Sequence, residues 1–486
     1  RRVPDNKNFS TSPELTSNIG DNLCLKSRDC ALTCGVKPMQ PSANSLFAPN
    51  TQIRPSSCQV NQAGHLQIGG CDTTELAKTF STPLWIIDEE TIRQGVAAYK
   101  EGLADYQGAQ IYYAGKAFLC LAMCHLVRQL DLGLDVVSEG ELYTAIQASF
   151  PAERICMHGN NKQVSELRAG LSYGDVTVVV DNLSELEMLN QLASSMGKRA
   201  KIMFRVIPGV EPDTHHHIKT GQNDSKFGVP LDEVVQAVAK ALKLESIELV
   251  GLHAHIGSQA KEIEPFLENI DVFADLAVKL KSELGFVLQK LDVGGGLGIK
   301  YVEGDTPIGV LDWGKAVSKR VKEAFSSRSL SLPMLMIEPG RSIIGPAGVT
   351  LYRVGHCKQL PNGPRFISVD GGMADNPRPI TYQAKYTACL ANRANAAPAK
   401  LPQTIVGKYC ESGDIIIKEA YLAADSGDLI AIFGTGAYNF SMASNYNRSP
   451  RPACVLVADG IAEIIVERES NEDLIRMDRV PRRLGI

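Results

Sequence analysis

The sequence predicts an α/β protein: a (β/α)8 TIM-type barrel with a second, all-β C-terminal domain. Three observations carry that reading. The chain has 486 residues, 44% hydrophobic and 21% charged. That is an ordinary globular mix, but too long for one core, since single cores stop growing at roughly 250–300 residues. Between residues 110 and 341, short β-rich runs alternate with amphipathic helical stretches, the pattern of βαβ crossovers and parallel strands. After Arg341 short strand-like runs separated by turn residues take over.

In chain order, residues 1–60 are rich in Ser, Asn, Pro and Thr, with Phe9 and Phe47 as their aromatics. Such a segment buries too little apolar surface to offset its ordering entropy, so a disordered tail is expected. Residues 61–100 hold strand-like runs, including Thr82-Pro83-Leu84-Trp85-Ile86-Ile87, and a helix joining the β domain to the barrel. The barrel is expected over 101–345. Its strands are predicted at Ile111–Ala114, Leu134–Val137, Arg154–Met157, Val176–Val180, Lys201–Val206, Leu249–His255, Leu291–Val293 and Met334–Ile337. Helices are predicted at Glu139–Ser149, Ser184–Ser195, Leu231–Lys243 and Ile263–Leu284. Eight units of this length suit a barrel of roughly 250 residues, with a doubly wound open sheet as the rival. The β domain, 346–486, is predicted to use Val349–Val354, Pro364–Val369, Asp414–Ile417, Leu429–Phe433, Ala453–Val457 and Ala462–Val466.

Composition excludes several roles. Lys plus Arg is 50 and Asp plus Glu is 54, a net charge of −4. That balance argues against nucleic-acid binding and against a polybasic membrane surface. No apolar run approaches the ~18–20 residues needed to span a bilayer. The 12 Cys are scattered without a C-x-x-C pair, as expected of reduced thiols in a cytoplasmic enzyme. Cys24, Cys30 and Cys34 cluster most closely, but their spacing fits no common zinc pattern. A targeting segment in the tail would instead imply an organelle stroma; Asp5, Glu14, Asp21 and Asp29 run against the acid-poor composition of transit peptides.

In a barrel, chemistry collects at the C-terminal ends of the strands. Lys116 follows the first. A lysine at a barrel mouth is expected to have its pKa lowered by desolvation, exposing an amine suited to Schiff-base chemistry; otherwise it is a surface residue closing a strand. The seventh strand runs into Gly294-Gly295-Gly296, where bare backbone can approach an anion; otherwise this is a flexible turn. The eighth ends in Glu338-Pro339-Gly340-Arg341, which could also be a structural ion pair. The sixth ends in His253-Ala254-His255, with both imidazoles on one face. A zinc reading there lacks a third ligand, and stacking of one His on a planar ligand is the better use. His215-His216-His217 fall in a predicted loop, read as solvated rather than metal-binding. An amine, an anion cradle and a carboxylate at one mouth together suggest pyridoxal 5'-phosphate, and no metal is expected.

Tyr113-Ala114-Gly115-Lys116-Ala117, His158-Gly159-Asn160-Asn161-Lys162, Ser225-Lys226-Phe227-Gly228, His253–Gln259, Gly294–Gly296, Glu338-Pro339-Gly340-Arg341-Ser342, Cys410-Glu411-Ser412-Gly413-Asp414 and Gly436-Ala437-Tyr438 occur in that order. Over residues 65–486 the chain thereby resembles the diaminopimelate decarboxylase family, within the alanine-racemase-like, fold type III pyridoxal phosphate enzymes. The resemblance implies PLP-dependent decarboxylation of meso-2,6-diaminopimelate to L-lysine and CO2, the last step of lysine biosynthesis, in a homodimer with shared active sites. It implies that Lys116 carries the cofactor, that His255 stacks on its ring, and that Glu338 pairs with the pyridine nitrogen. Ser258, Gly294, Gly295, Gly296 and Tyr438 would surround the phosphate, with Pro339, Gly340 and Arg341 completing the cofactor wall. Cys410 of the partner subunit would be the proton donor. Arg341, Arg378, Tyr382, Glu411 and Tyr438 would hold the substrate. Two departures stand out: Gly115 replaces a bulkier residue, and Asn447-Arg448-Ser449 transposes an expected Ser-Arg order. The rivals are a decarboxylase of the same fold acting on ornithine, arginine or carboxynorspermidine, a non-catalytic regulatory relative, and a metal-dependent hydrolase using His253 and His255.

Overall fold

The computed structural model describes residues 48–210 and 225–485. His215–His217, the three clustered cysteines and the tail up to residue 47 lie outside them. Eight parallel strands close on themselves: Gln110–Ala114, Gly133–Val136, Ile155–Met157, Thr177–Val180, Ala200–Ile207, Ile247–His253, Lys290–Asp292 and Met334–Ile337. Each pairs with the next, and the eighth pairs with the first through Met336 and Ile337. The sheet is therefore a barrel, and the open-sheet rival is excluded. Its interior is packed with Tyr112, Cys156, Val179, Met203, Val250 and Met336. A Cβ on Gly133 would stand 2.4 Å from the Tyr112 ring, so only glycine lets that ring lie against the neighbouring strand. A second shell of apolar side chains, including Leu134, Phe204, Phe266, Trp313 and Phe325, fills the space between strands and helices.

The helices follow their apolar periodicity and cap locally. Glu139–Gln147 starts at Ser138, whose side chain accepts from the Glu141 N–H. Leu183–Ser195 starts at Asn182, which accepts from Glu185. Helix Glu89–Gly102 crosses helix Val310–Ser327 where Gly102 meets Gly314, a contact too close for a side chain on either. The sixth strand stops at His253, two residues short of its predicted end.

The second domain is β-rich with short helices, and it is discontinuous in sequence. Its central strand, Gly348–Gln359, pairs with Arg365–Val369, with Leu429–Phe433 and with Leu84–Asp88. Leu84–Asp88 precedes the barrel, yet lies between Gly348–Gln359 and Ala453–Ala458. All five of its residues are buried, which is why it reads as an unbroken apolar run rather than an alternating one. Ala388–Leu390 and Gln403–Val406 are additional strands, too short to stand out in the sequence.

Residues 48–60, expected within the tail, are part of the fold. Asn50 is fully buried. Its Nδ2 donates to the Gly298 and Ile308 carbonyls at 3.2 and 2.7 Å, and its Oδ1 accepts from the Val310 N–H at 3.1 Å. Polar composition gave the wrong expectation here because this short piece is held by the hydrogen bonds of one buried amide together with a few buried apolar residues such as Ile53. Among the described residues no helix is long and apolar enough to cross a membrane, and the nine described cysteines are free thiols. Asn50→Ala would leave three buried backbone groups unpaired. It should lower unfolding stability by about 2–3 kcal/mol, read from the denaturant midpoint.

Candidate active site at the barrel mouth

The first strand ends in a tight turn, Gly115–Ala117. A Cβ on Gly115 would lie 2.7 Å from the Asp135 carbonyl oxygen, so the turn packs on the second strand only without a side chain there. The β domain fixes the turn from the other side. Tyr438 donates its N–H to the Ala117 carbonyl at 2.8 Å, and Ser441 Oγ donates to the Lys116 carbonyl at 2.9 Å. Lys116 itself is exposed, so the desolvation expected from its position does not arise from the protein alone. Its side chain nevertheless borders a cavity of about 150 Å³ shared with Asp135, His158, Arg205, Phe227, His253, His255 and Glu338.

Glu338 is the electrostatic centre of that cavity. It is buried, and its Oε1 lies 3.1 Å from both His158 Nε2 and His253 Nε2. His158 Nε2 is also 3.4 Å from Asp135. Burial alone would raise the Glu338 pKa, but the two imidazoles outweigh it and hold the carboxyl well below its usual range. The converse holds at His158: burial opposes its charge, yet Glu338 and Asp135 push it up to about 9. His253 and His255 go the other way, to about 4 and about 3, mainly by burial, with the Lys116 charge adding to the effect at His255. Burial and the Glu338 charge push Asp135 up to about 7 and raise Asp292 well above its usual value. The site therefore holds one buried anion facing one imidazolium, with His253 and His255 neutral beside them and the Lys116 and Arg205 cations on the cavity wall.

The third partner of His253 is thus present in space, where the sequence offered none. Donor atoms of His158, His253 and Glu338 lie within 4.8 Å of one another, close enough to hold a metal ion. His255 does not belong to that set. It stands beyond the strand end, beside the glycine turn, where a Cβ on Gly296 would come 3.6 Å from its Cε1.

The glycine turn is packed, not loose. A Cβ on Gly294 would sit 2.5 Å from the Ala254 carbonyl oxygen. On Gly295 it would sit 2.0 Å from that of Glu338, and on Gly296 2.2 Å from that of Gly257. The turn is wedged between the end of the sixth strand and Glu338, whose N–H donates to the Gly294 carbonyl at 2.9 Å. Pro339 accepts from Ala114 N–H at 3.2 Å, and a Cβ on Gly340 would approach Ala114 at 3.0 Å, so the eighth strand's end lies against the first. Buried His255 Nδ1 has no hydrogen-bond partner among the described residues. An orphaned imidazole nitrogen, a buried carboxylate, bare backbone and an amine around one cavity fit a planar anionic cofactor carrying an aldehyde and a ring nitrogen.

Beside the glycine turn, Arg341 donates to Tyr301 Oη at 2.6 Å and to Ser258 Oγ at 2.9 Å, and lies 4.7 Å from the Tyr438 ring centre. Arg378 is buried and also donates to Tyr301 Oη, at 2.8 Å. The remaining residues named from sequence are not brought to the cavity. Tyr382, Cys410 and Glu411 are exposed on the β domain. The Cys410 N–H donates to Asn447 Oδ1 at 3.3 Å, and Glu411 accepts from the Tyr446 hydroxyl. Arg448 pairs with Asp478 on the surface at 2.7 Å. Sequence reasoning assigned no role to Asp135, His158, Arg205, Phe227 or Tyr301. The first three sit in or just after barrel strands, so a search for charged residues at every strand end would have found them.

Residues 89–345 match the family model described as "Pyridoxal-dependent decarboxylase, pyridoxal binding domain". The chain is 47% identical to a diaminopimelate decarboxylase of Halalkalibacterium halodurans, over 86% of this chain and 96% of that one. It is 45% identical to one of Synechocystis sp., over 90% and 95%. A crystal structure of diaminopimelate decarboxylase from M. jannaschii in complex with L-lysine superposes with a TM-score of 0.83, at 35% identity, covering 89% of this chain and 99% of that one.

Gly295→Ala forces the glycine turn off the Glu338 backbone. The variant should stay folded by circular dichroism yet retain less than about a tenth of the wild-type cofactor, counted by absorbance per subunit.

Proposed function

The chain belongs to the diaminopimelate decarboxylase family of pyridoxal-dependent enzymes, and on that basis we propose how its own residues perform the reaction. The enzyme is a pyridoxal phosphate-dependent carboxy-lyase that converts meso-2,6-diaminopimelate to L-lysine and CO2. The observation that carries the site assignment is one cavity bordered at once by an amine, an imidazole and a buried carboxylate: Lys116, His255 and Glu338.

Pyridoxal 5'-phosphate, when bound, supplies a conjugated electron sink for the pair left by departing CO2. Lys116 would hold it through its amine. His255, kept neutral by burial, is suited to lie flat against its ring. Gly294–Gly296, Ser258 and Tyr438 would face its phosphate. Glu338 is held as an anion by His158 and His253, and would keep a proton on the ring nitrogen, the state in which the ring withdraws electrons best. Arg341 and Arg378 bind the substrate carboxylate that is not lost, through charge-assisted hydrogen bonds. Ornithine, arginine and carboxynorspermidine present different distal ends. A plain ammonium would need an acid at this place, not two guanidiniums.

The proton that replaces CO2 is assigned to the Cys410 thiol, and the substrate's distal ammonium to Glu411. Both are exposed and stand apart from the cavity of their own chain. A homodimer in which Cys410 and Glu411 of the partner subunit close the cavity accounts for that placement.

The decisive experiment is the absorbance spectrum of the purified protein before and after addition of meso-diaminopimelate, with the product identified. A shift in the near-visible band and formation of L-lysine are expected; an unchanged spectrum with no lysine rejects the reading. Lys116→Ala should abolish both the bound-cofactor absorbance and turnover, and a coloured, fully active variant would refute the role of Lys116. Arg378→Ala should lower kcat/KM for meso-diaminopimelate by about a hundredfold in a CO2-release assay, as expected on losing a buried charge-assisted contact.

A further inference from the structure

Arg341 and Arg378 reach the same oxygen. Arg341 Nη1 donates to Tyr301 Oη at 2.6 Å and Arg378 Nη1 donates to it at 2.8 Å. Their other side-chain hydrogen bonds also go to hydroxyls, from Arg341 to Ser258 and from Arg378 to Tyr386. Among the described residues no carboxylate forms an ion pair with either guanidinium. Two cations converging on one neutral phenol, without an acid between them, form a site that an anion completes.

A phenol oxygen offers two lone pairs and one proton. At Tyr301 two guanidinium donors occupy the acceptor side, and no described residue accepts the hydroxyl proton. The ring is packed in place, which fixes the position of its oxygen. It is buried edge-on against Tyr386 at 5.5 Å, and a Cβ on Gly434 would touch it at 3.1 Å. Its backbone is pinned as well: its N–H donates to Asp305 Oδ2 at 3.1 Å and its carbonyl accepts from Thr387 Oγ1 at 2.9 Å. With both acceptor positions taken by guanidiniums, the hydroxyl proton is free to be donated to an anion that Arg341 and Arg378 bind.

We propose that Tyr301 is a specificity-determining residue whose hydroxyl donates to the retained carboxylate of the substrate, making with Arg341 and Arg378 a three-donor site that separates an amino-acid end from a bare ammonium. This rests on the reading of the enzyme as a diaminopimelate decarboxylase and assigns the recognition of the substrate's far end.

Tyr301→Phe keeps the ring and removes the donor. Isothermal titration of the cofactor-loaded enzyme with L-lysine, which retains that carboxylate, and with 1,5-diaminopentane, which lacks it, separates recognition from packing. In the variant, L-lysine affinity should fall about tenfold or more, as on losing a hydrogen bond to a charged group, while diamine affinity stays the same. The KM for meso-diaminopimelate should rise by a similar factor with kcat nearly unchanged. Unchanged L-lysine affinity overturns the proposal. An equal loss for both ligands also overturns it, because the tyrosine would then be structural. A wild-type enzyme that neither binds L-lysine nor decarboxylates meso-diaminopimelate overturns the parent reading, and this inference with it.

Discussion

The site is organised by one buried anion. A carboxylate removed from water at the centre of a barrel mouth is costly unless an opposite charge accompanies it. Glu338 obtains that charge from His158, 3.1 Å away, whose own pKa the pair lifts to about 9. The constraint then spreads outward. Three carboxylates this close cannot all ionise, so Asp135 and Asp292 are driven toward their neutral forms. His253 and His255 stay uncharged. The chemistry assigned to the ring nitrogen, to the stacking imidazole and to the lysine beside them depends on this one allocation of charge.

Backbone contact is the second constraint, and it ties the site together mechanically. The glycine turn touches the sixth strand's end and Glu338 through distances no side chain could occupy. The Lys116 turn is gripped by Tyr438 and Ser441 from the β domain. The β domain in turn is built around a strand, Leu84–Asp88, that the chain lays down before the barrel begins. Barrel and β domain are thus interleaved in sequence, and the turn that carries Lys116 is positioned by both.

Arg341 joins the two halves of the substrate problem. One of its nitrogens reaches Ser258 beside the glycine turn and another reaches Tyr301 at the distal clamp. The wall proposed to face the anionic end of the cofactor is therefore continuous with the wall proposed to read the far end of the substrate.

Much of this was legible in the chain. Strand–helix alternation pointed to parallel βαβ units, because each writes its own local period, while the choice of barrel over open sheet was decided by the pairing of the eighth strand with the first. The end-of-strand rule then drew attention to Lys116, His255, Gly294–Gly296 and Glu338, which one cavity and its glycine turn bring together. What the sequence could not show depends on distance in space. His158 carries no local sign that it will face Glu338, since the two are 180 residues apart and meet only when the barrel closes. The role of Asn50 was hidden in a stretch that looked disordered by composition, because three hydrogen bonds to a remote loop leave no compositional trace. Tyr301 resembles any buried tyrosine until Arg341 and Arg378 arrive from different elements. Periodicity and strand-end position are properties of neighbouring residues and are written in the chain. Charge allocation, close backbone approach and convergence on a shared oxygen are properties of the closed fold, and only the fold decides them.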